Sequence, residues 1–144
     1  MEVRPGWGVG RFPFGLTESA LIGALGPPDK VYTTDSGVRR LQYFGPQIEF
    51  ALEPENGDRF GWAEVHSPAA LWYGRRVVGE PAADIVPEVA AALGEQPEHT
   101  DYGSAESYFF NRSWVELRVE FGRVVSVNLG VVYGEDDEPQ WPNA

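Results

Sequence analysis

Hydrophobic and polar residues alternate along much of this chain, and the alternation comes in two sets. From Val38 to Phe44, Leu41 and Tyr43 fall on one side of an extended backbone and Arg40, Gln42 and Phe44 on the other. That is the period-two pattern of a half-buried strand. Gly45-Pro46 turns the chain, and Gln47 to Leu52 alternates again, with Ile48, Phe50 and Leu52 opposite Gln47 and Glu49. Glu53 to Asp58 has the proline, asparagine and glycine of a loop. Phe60 to His66 then turns Ala63 and Val65 inward and Trp62, Glu64 and His66 outward. A short strand at Val31 to Thr33 and a turn at Asp35-Ser36-Gly37 complete the first set. The second set comprises His99 to Tyr102, Glu106 to Phe110, Trp114 to Glu120 and Val124 to Leu129. In it Val115, Leu117 and Val119 alternate with Trp114, Glu116, Arg118 and Glu120, and turns are expected at Gly103-Ser104, Asn111-Arg112 and Gly122-Arg123.

A helix is expected before each set. Thr17 is a helix cap, Leu16 and Leu21 can meet as a hydrophobic staple, and Glu18 suits the positive end of the helix dipole. Gly26 in a left-handed conformation, followed by Pro27 and Pro28, stops that helix. Ala82 to Leu93 is the second helix, closed by Gly94. Pro87 fits only a first turn, so regular helix is expected from about Asp84. The pattern predicts an α+β fold: a tandem duplication of a short helix plus about four antiparallel strands, with a period of roughly 65 residues. The strands form a continuous or paired curved sheet with the helices on one face. Residues 1–14 read as an irregular arm, 15–66 as the first repeat, 67–78 as a connector, 79–133 as the second repeat and 134–144 as a mobile acidic tail.

Composition narrows the function. A formal charge of −11 repels nucleic acid and anionic membranes and attracts a basic protein. The chain has no cysteine, so no disulfide framework or thiolate site. No apolar run reaches signal-peptide or membrane-spanning length, and the expectation is a cytoplasmic protein, monomeric when free.

Catalytic chemistry is sparse. The two histidines, His66 and His99, lie in different repeats. Glu64 and His66 share a strand face, but a metal centre takes at least three protein ligands. The glycines at 6, 8 and 10 lack the preceding strand and following helix of a phosphate loop. We therefore expect no enzyme, no metal and no cofactor. The binding surface is expected on the sheet face away from the helices, formed by Arg40, Gln42, Phe44, Glu49, Trp62, Glu64, His66, Phe109, Trp114, Glu116 and Arg118. Trp62 and Trp114 are its expected anchors, in comparable places in the two repeats, because aromatic side chains set among charged ones serve interfaces. Tyr43, Phe50 and Tyr108 read as core, and Trp72 and Tyr73 as a wedge between the repeats.

Phe14-Gly15-Leu16-Thr17-Glu18 followed by Leu25-Gly26-Pro27-Pro28-Asp29, with Leu93-Gly94 and Pro97 in the second copy, resembles small bacterial modules of the SmpA/OmlA and β-lactamase-inhibitor-protein type. The resemblance covers about residues 12 to 133. It implies short helices on four-stranded antiparallel sheets and, in tandem, an aromatic-rich face presented to a protein. The secreted inhibitors carry cysteines, which this chain lacks, and a signal peptide, which is not expected here. The expectation it leaves is a cytoplasmic neutraliser of another protein, such as an immunity protein against a bacterial toxin, with a small-ligand or carbohydrate-binding module as the alternative.

Overall fold

The computed structural model describes residues 1–142. The expected irregular arm is instead a small antiparallel meander: β1 (Val3–Arg4), β2 (Gly8–Val9) and β3 (Phe12–Pro13). Its apolar residues explain the order, since Val3, Val9, Phe12 and Phe14 are all buried. Phe12 meets Phe50 edge-on at 5.8 Å and Phe14 lies 4.9 Å from Phe60.

Helix α1 (Glu18–Leu25) starts at the expected cap, where the Thr17 hydroxyl accepts from the Ala20 N–H. It ends at Gly26, whose φ of 82° is positive but whose ψ of −175° is extended rather than left-handed helical. Only glycine adopts that combination freely. Leu21 is the fully buried residue of this helix, so the helix holds on to the sheet by a narrow contact. Thr17→Ala should therefore cost about 1 kcal/mol, the usual value of a lost cap, read as a fall of a few degrees in melting temperature.

The strands that follow are β4 (Lys30–Thr33), β5 (Arg39–Tyr43), β6 (Ile48–Glu53) and β7 (Arg59–Val65), with a 3-10 turn, Pro54–Asn56, between the last two. The connector contains a hairpin of β8 (Leu71–Trp72) and β9 (Arg75–Arg76). Trp72 is buried there, but Tyr73 is 74% exposed and wedges nothing. Helix α2 (Ala82–Leu93) starts at its Pro81 cap rather than at Asp84. Pro87 therefore lies beyond the first turn, where its missing N–H leaves a carbonyl of the exposed face to solvent; Ala83 and Pro87 are both exposed. Ile85, Val89 and Ala90 form the buried stripe of α2.

After α2 come β10 (Glu98–Asp101), β11 (Glu106–Phe110), β12 (Val115–Glu120) and β13 (Arg123–Gly130). The last hairpin turns on Phe121 and Gly122, with φ of 52° and 75°, one residue earlier than expected. Positive φ at both central residues matches the right-handed twist of the flanking strands. Strands β4 to β7 and β10 to β13 make one eight-stranded antiparallel sheet in the order β10-β11-β12-β13-β7-β6-β5-β4. The fold is α+β. Its core lies on the helix side, where Leu21, Ile85 and Val89 join Leu41, Phe50, Val65, Leu117, Val127 and Leu129 in one cluster. Tyr43 is buried there as expected, whereas Tyr108 is only half-buried and stacks on His99 at 4.4 Å.

The acidic tail folds back as far as it is described. Tyr133 bridges to Pro139, the Gln140 N–H donates to the Val132 carbonyl at 2.8 Å, and Trp141 packs against the core beside Gly15. Residues 143–144 of that expected tail lie outside the described residues.

Candidate binding site on the open sheet face

The sheet face away from the helices is organised in cross-strand rows. Gln42, Glu49, Glu64, Asn128, Glu116 and Phe109 are successive partners across β5, β6, β7, β13, β12 and β11. The neighbouring row is Arg40, Ala51, Trp62 and Gly130. Eleven expected site residues were assigned by alternation, and the alternating strand residues among them do fall on this face.

Glu49 and Glu64 stand directly opposite one another, an arrangement that repels unless a cation intervenes. Arg40 supplies it, donating from Nη1 to Glu49 at 2.6 Å and to Glu64 at 2.8 Å. Gln42 Nε2 and the Tyr32 hydroxyl also donate to Glu49, and Trp62 Nε1 reaches Glu64 at 3.4 Å. Burial pushes the Glu49 carboxyl up, but the hydrogen bonds from Gln42, Arg40 and Tyr32 together outweigh it and hold the group below the usual carboxylate range. Arg40 is likewise opposed by burial and held above its ordinary value by the same two carboxylates. His66 Nε2 stands 3.9 Å from Glu64, with no third ligand: among the described residues no three His, Asp or Glu side chains gather as a metal site. Phe44 is 62% exposed and borders a hollow of about 240 Å³ with Gln42, Glu49 and His66.

In the other half of the sheet, Glu116 accepts from the Ser107 hydroxyl at 2.6 Å and from Asn128 Nδ2 at 2.9 Å. Arg118 lies 3.8 Å from Glu116, with its guanidinium 5.4 Å from the Tyr102 ring. The Asn128 amide oxygen is buried and, among the described residues, has no hydrogen-bond partner. An unpaired buried acceptor costs about 1–3 kcal/mol and draws a donor or a water to itself.

A concavity lies where the halves meet, at the β7–β13 pairing. A cavity of about 440 Å³ is walled by Trp62, Trp114 and Tyr133, floored by Ala51, Gly61, Gly130 and Val131, and edged by Arg40, Glu53 and Glu55. Trp114 is clamped edge-on between Phe109, at 5.7 Å, and Tyr133, at 5.6 Å. Its backbone is held at φ 54° while its carbonyl accepts from the Gly130 N–H at 2.8 Å. Asn56 Nδ2 donates to the Tyr133 hydroxyl at 2.7 Å, tying that ring to the turn that carries Glu55. The glycines are close-approach positions: a Cβ at Gly130 would come within 2.7 Å of the Trp62 ring, and one at Gly61 within 2.4 Å of Glu53 Oε1. Trp62 also walls a second hollow, about 270 Å³, with Glu98, Thr100, Tyr102, Ser107, Phe109 and Glu116.

Sequence reasoning missed Tyr32, Glu53, Glu55, Asn128 and Tyr133. Burial and then the neighbouring Glu55 charge push the Glu53 carboxyl up. A raised folded value contributes stability below the unfolded carboxyl pKa of about 4.3 and loses it as pH rises through the folded value. At neutral pH ionised Glu53 therefore costs stability. Glu53→Gln should raise the melting temperature at neutral pH by a few degrees, at about 3 °C per kcal/mol, with the gain vanishing near pH 4. Thermal melts of both proteins across that range check it.

No protein-family model matches this chain, and no curated protein does. Among solved structures the chain is similar to an extracellular protein containing an SCP domain from Bacillus anthracis str. Ames, at 12% identity and a TM-score of 0.50. The likeness covers 81% of this chain and 43% of that one, so this chain spans less than half of that structure's length. At this identity it speaks to the fold alone.

Proposed function

We propose that this chain is a tandem duplication whose shared sheet is a binding face, and that it acts without catalysis as an inhibitor or immunity protein capturing a basic protein partner. Duplication is supported by hydrogen bonds that recur 64 positions apart. The Gly15 N–H donates to the Phe60 carbonyl and the Gly79 N–H to that of Val124; Arg59 reaches the Gly15 carbonyl and Arg123 that of Gly79. Between these points the offset widens because α2 has 12 residues against 8 in α1, and it closes again because the β12–β13 turn is shorter than the β6–β7 loop. A bulge falls at Ala51/Leu52 and at the corresponding Arg118/Val119, and bulges at matched places would bend both halves of the sheet alike.

On this alignment Gln47 is the counterpart of Trp114. Both have positive φ, 58° and 54°, and their carbonyls accept from the N–H groups of His66 and Gly130. The counterpart of Trp62 is Ser126. Trp62 and Trp114 therefore do not hold comparable positions, and they line one cavity because the β7–β13 pairing joins one half to the other.

The observation that carries the functional reading is the seam cavity: aromatic walls and carboxylate edges on a face that the helices leave uncovered. Aromatic anchors at the centre of an acidic surface are the makings of a hot spot for a basic partner. The cavity's size favours a second reading, since small-molecule sites run from about 300 to 1,000 Å³. Affinity capture from the native host, with the neighbouring gene product as first candidate and calorimetric titration of that purified product, decides between them. Capture of small molecules alone would end the protein-inhibitor reading.

A further inference from the structure

We propose that the seam cavity is the socket for one arginine side chain presented by the protein partner, an inference that rests on reading this face as a protein-binding surface. The cavity offers an imbalance of charge. Glu49 and Glu64 share one cation, Arg40, which also edges the cavity. Among the described residues, no cationic side chain forms a salt bridge with Glu53 or Glu55. Two carboxylates thus face an aromatic chamber whose nearest cation, Arg40, is already engaged by Glu49 and Glu64.

The shape of that chamber selects the cation. Trp62, Trp114 and Tyr133 present ring surface, on which a flat, weakly hydrated guanidinium stacks better than an ammonium. Its five N–H donors can serve two carboxylates at once. The Tyr133 hydroxyl, already accepting from Asn56, keeps a second lone pair to accept from a guanidinium N–H. The groups facing Glu53 are Glu55 on the 3-10 turn, Arg40 on β5 and Tyr133 beyond β13. Burial and Glu55 push Glu53 up, and Arg40 offsets this only in part. An entering guanidinium favours the ionised carboxylate, so binding should weaken as pH falls through the raised Glu53 value.

The test uses the full chain and the tripeptide acetyl-Gly-Arg-Gly-amide, with the indole N–H signals of Trp62 and Trp114 followed by nitrogen–proton NMR at neutral pH. Both signals should move along saturable curves. The neutral citrulline tripeptide should bind at least about tenfold more weakly, the value of one charge-assisted hydrogen bond. Glu53→Gln should weaken the arginine peptide to a similar degree, and Gly130→Ala, which displaces the Trp62 ring without altering charge, should abolish its binding. Equal shifts with citrulline, no response to Glu53→Gln, or a lysine tripeptide binding as tightly would overturn the socket. So would free agmatine binding far more tightly than the peptide, which would assign the cavity to a small amine. The two readings also fail separately. Arginine binding with no protein partner captured removes the inhibitor reading; a captured partner lost on Trp62→Ala, with the tripeptide silent, removes the socket alone.

Discussion

Replacing Trp62 or Trp114 by alanine should weaken capture of the partner by about 2–4 kcal/mol, roughly 30- to 900-fold, as expected of aromatic anchors at the centre of an interface. Trp62 is half-buried and separates the seam cavity from the hollow lined by Ser107 and Glu116. Its loss merges the two and removes a ring that both share. Trp114 is braced by Phe109 and Tyr133, so its ring meets a partner with little rotamer freedom left to lose. The two variants should differ in stability. Edge-on aromatic pairs contribute about 0.5–1.5 kcal/mol each, so Trp114→Ala should lower the melting temperature more than Trp62→Ala. An N-terminal segment lying over both rings would have made them structural instead. That segment packs on the opposite face, through Phe12 on Phe50 and Phe14 on Phe60. Melting and affinity measured on the same two variants provide the check, and stability loss with unchanged affinity would retire this interface.

The strands were legible because one face of the sheet is thoroughly apolar. Leu41, Phe50, Ala63, Leu117 and Val127 are all completely or almost completely buried, and period-two alternation reports that directly. The order of the arm was hidden because its strands are two residues long, too short for any alternation to register. Of the site, alternation revealed which face Arg40, Glu49, Glu64 and Trp62 share. It could not reveal that β7 pairs with β13, a contact between residues more than sixty positions apart that creates the cavity. Glu53, Glu55 and Tyr133 escaped for a related reason. They sit at or beyond strand ends, where composition says loop and only tertiary structure says wall. Asn128 lies in the strand expected from Val124 to Leu129, where one amide among mostly apolar residues carries no signal of its own, yet it is the buried amide between Glu64 and Glu116.

Arg40→Met should destabilise the free protein at neutral pH by about 2–3 kcal/mol, less than the 3–5 kcal/mol typical of breaking a fully buried pair. The discount follows from exposure: the Arg40 and Glu64 side chains keep 22% and 29% of their surface in solvent, although Glu49 keeps only 8%. Methionine retains much of the arginine stem, so the loss is chiefly electrostatic. Two carboxylates would then face each other across β6 and β7 with no cation between them. In the native chain Glu49 is held below its ordinary value, so it contributes stability above the unfolded carboxyl pKa and loses it as pH falls through the folded value. Without Arg40, Glu49 keeps the hydrogen bonds from Gln42 and Tyr32 but loses its cation, so it is held down less firmly and contributes less at neutral pH. The gap in melting temperature between the two proteins should accordingly be widest near neutral pH and narrow steadily toward pH 4. A second substitution, Glu49→Gln on the Arg40→Met background, should recover part of the loss at neutral pH and none in acid. A gap that stays constant with pH would show that Arg40 acts through packing alone and that the carboxylate pair is relieved by some other route.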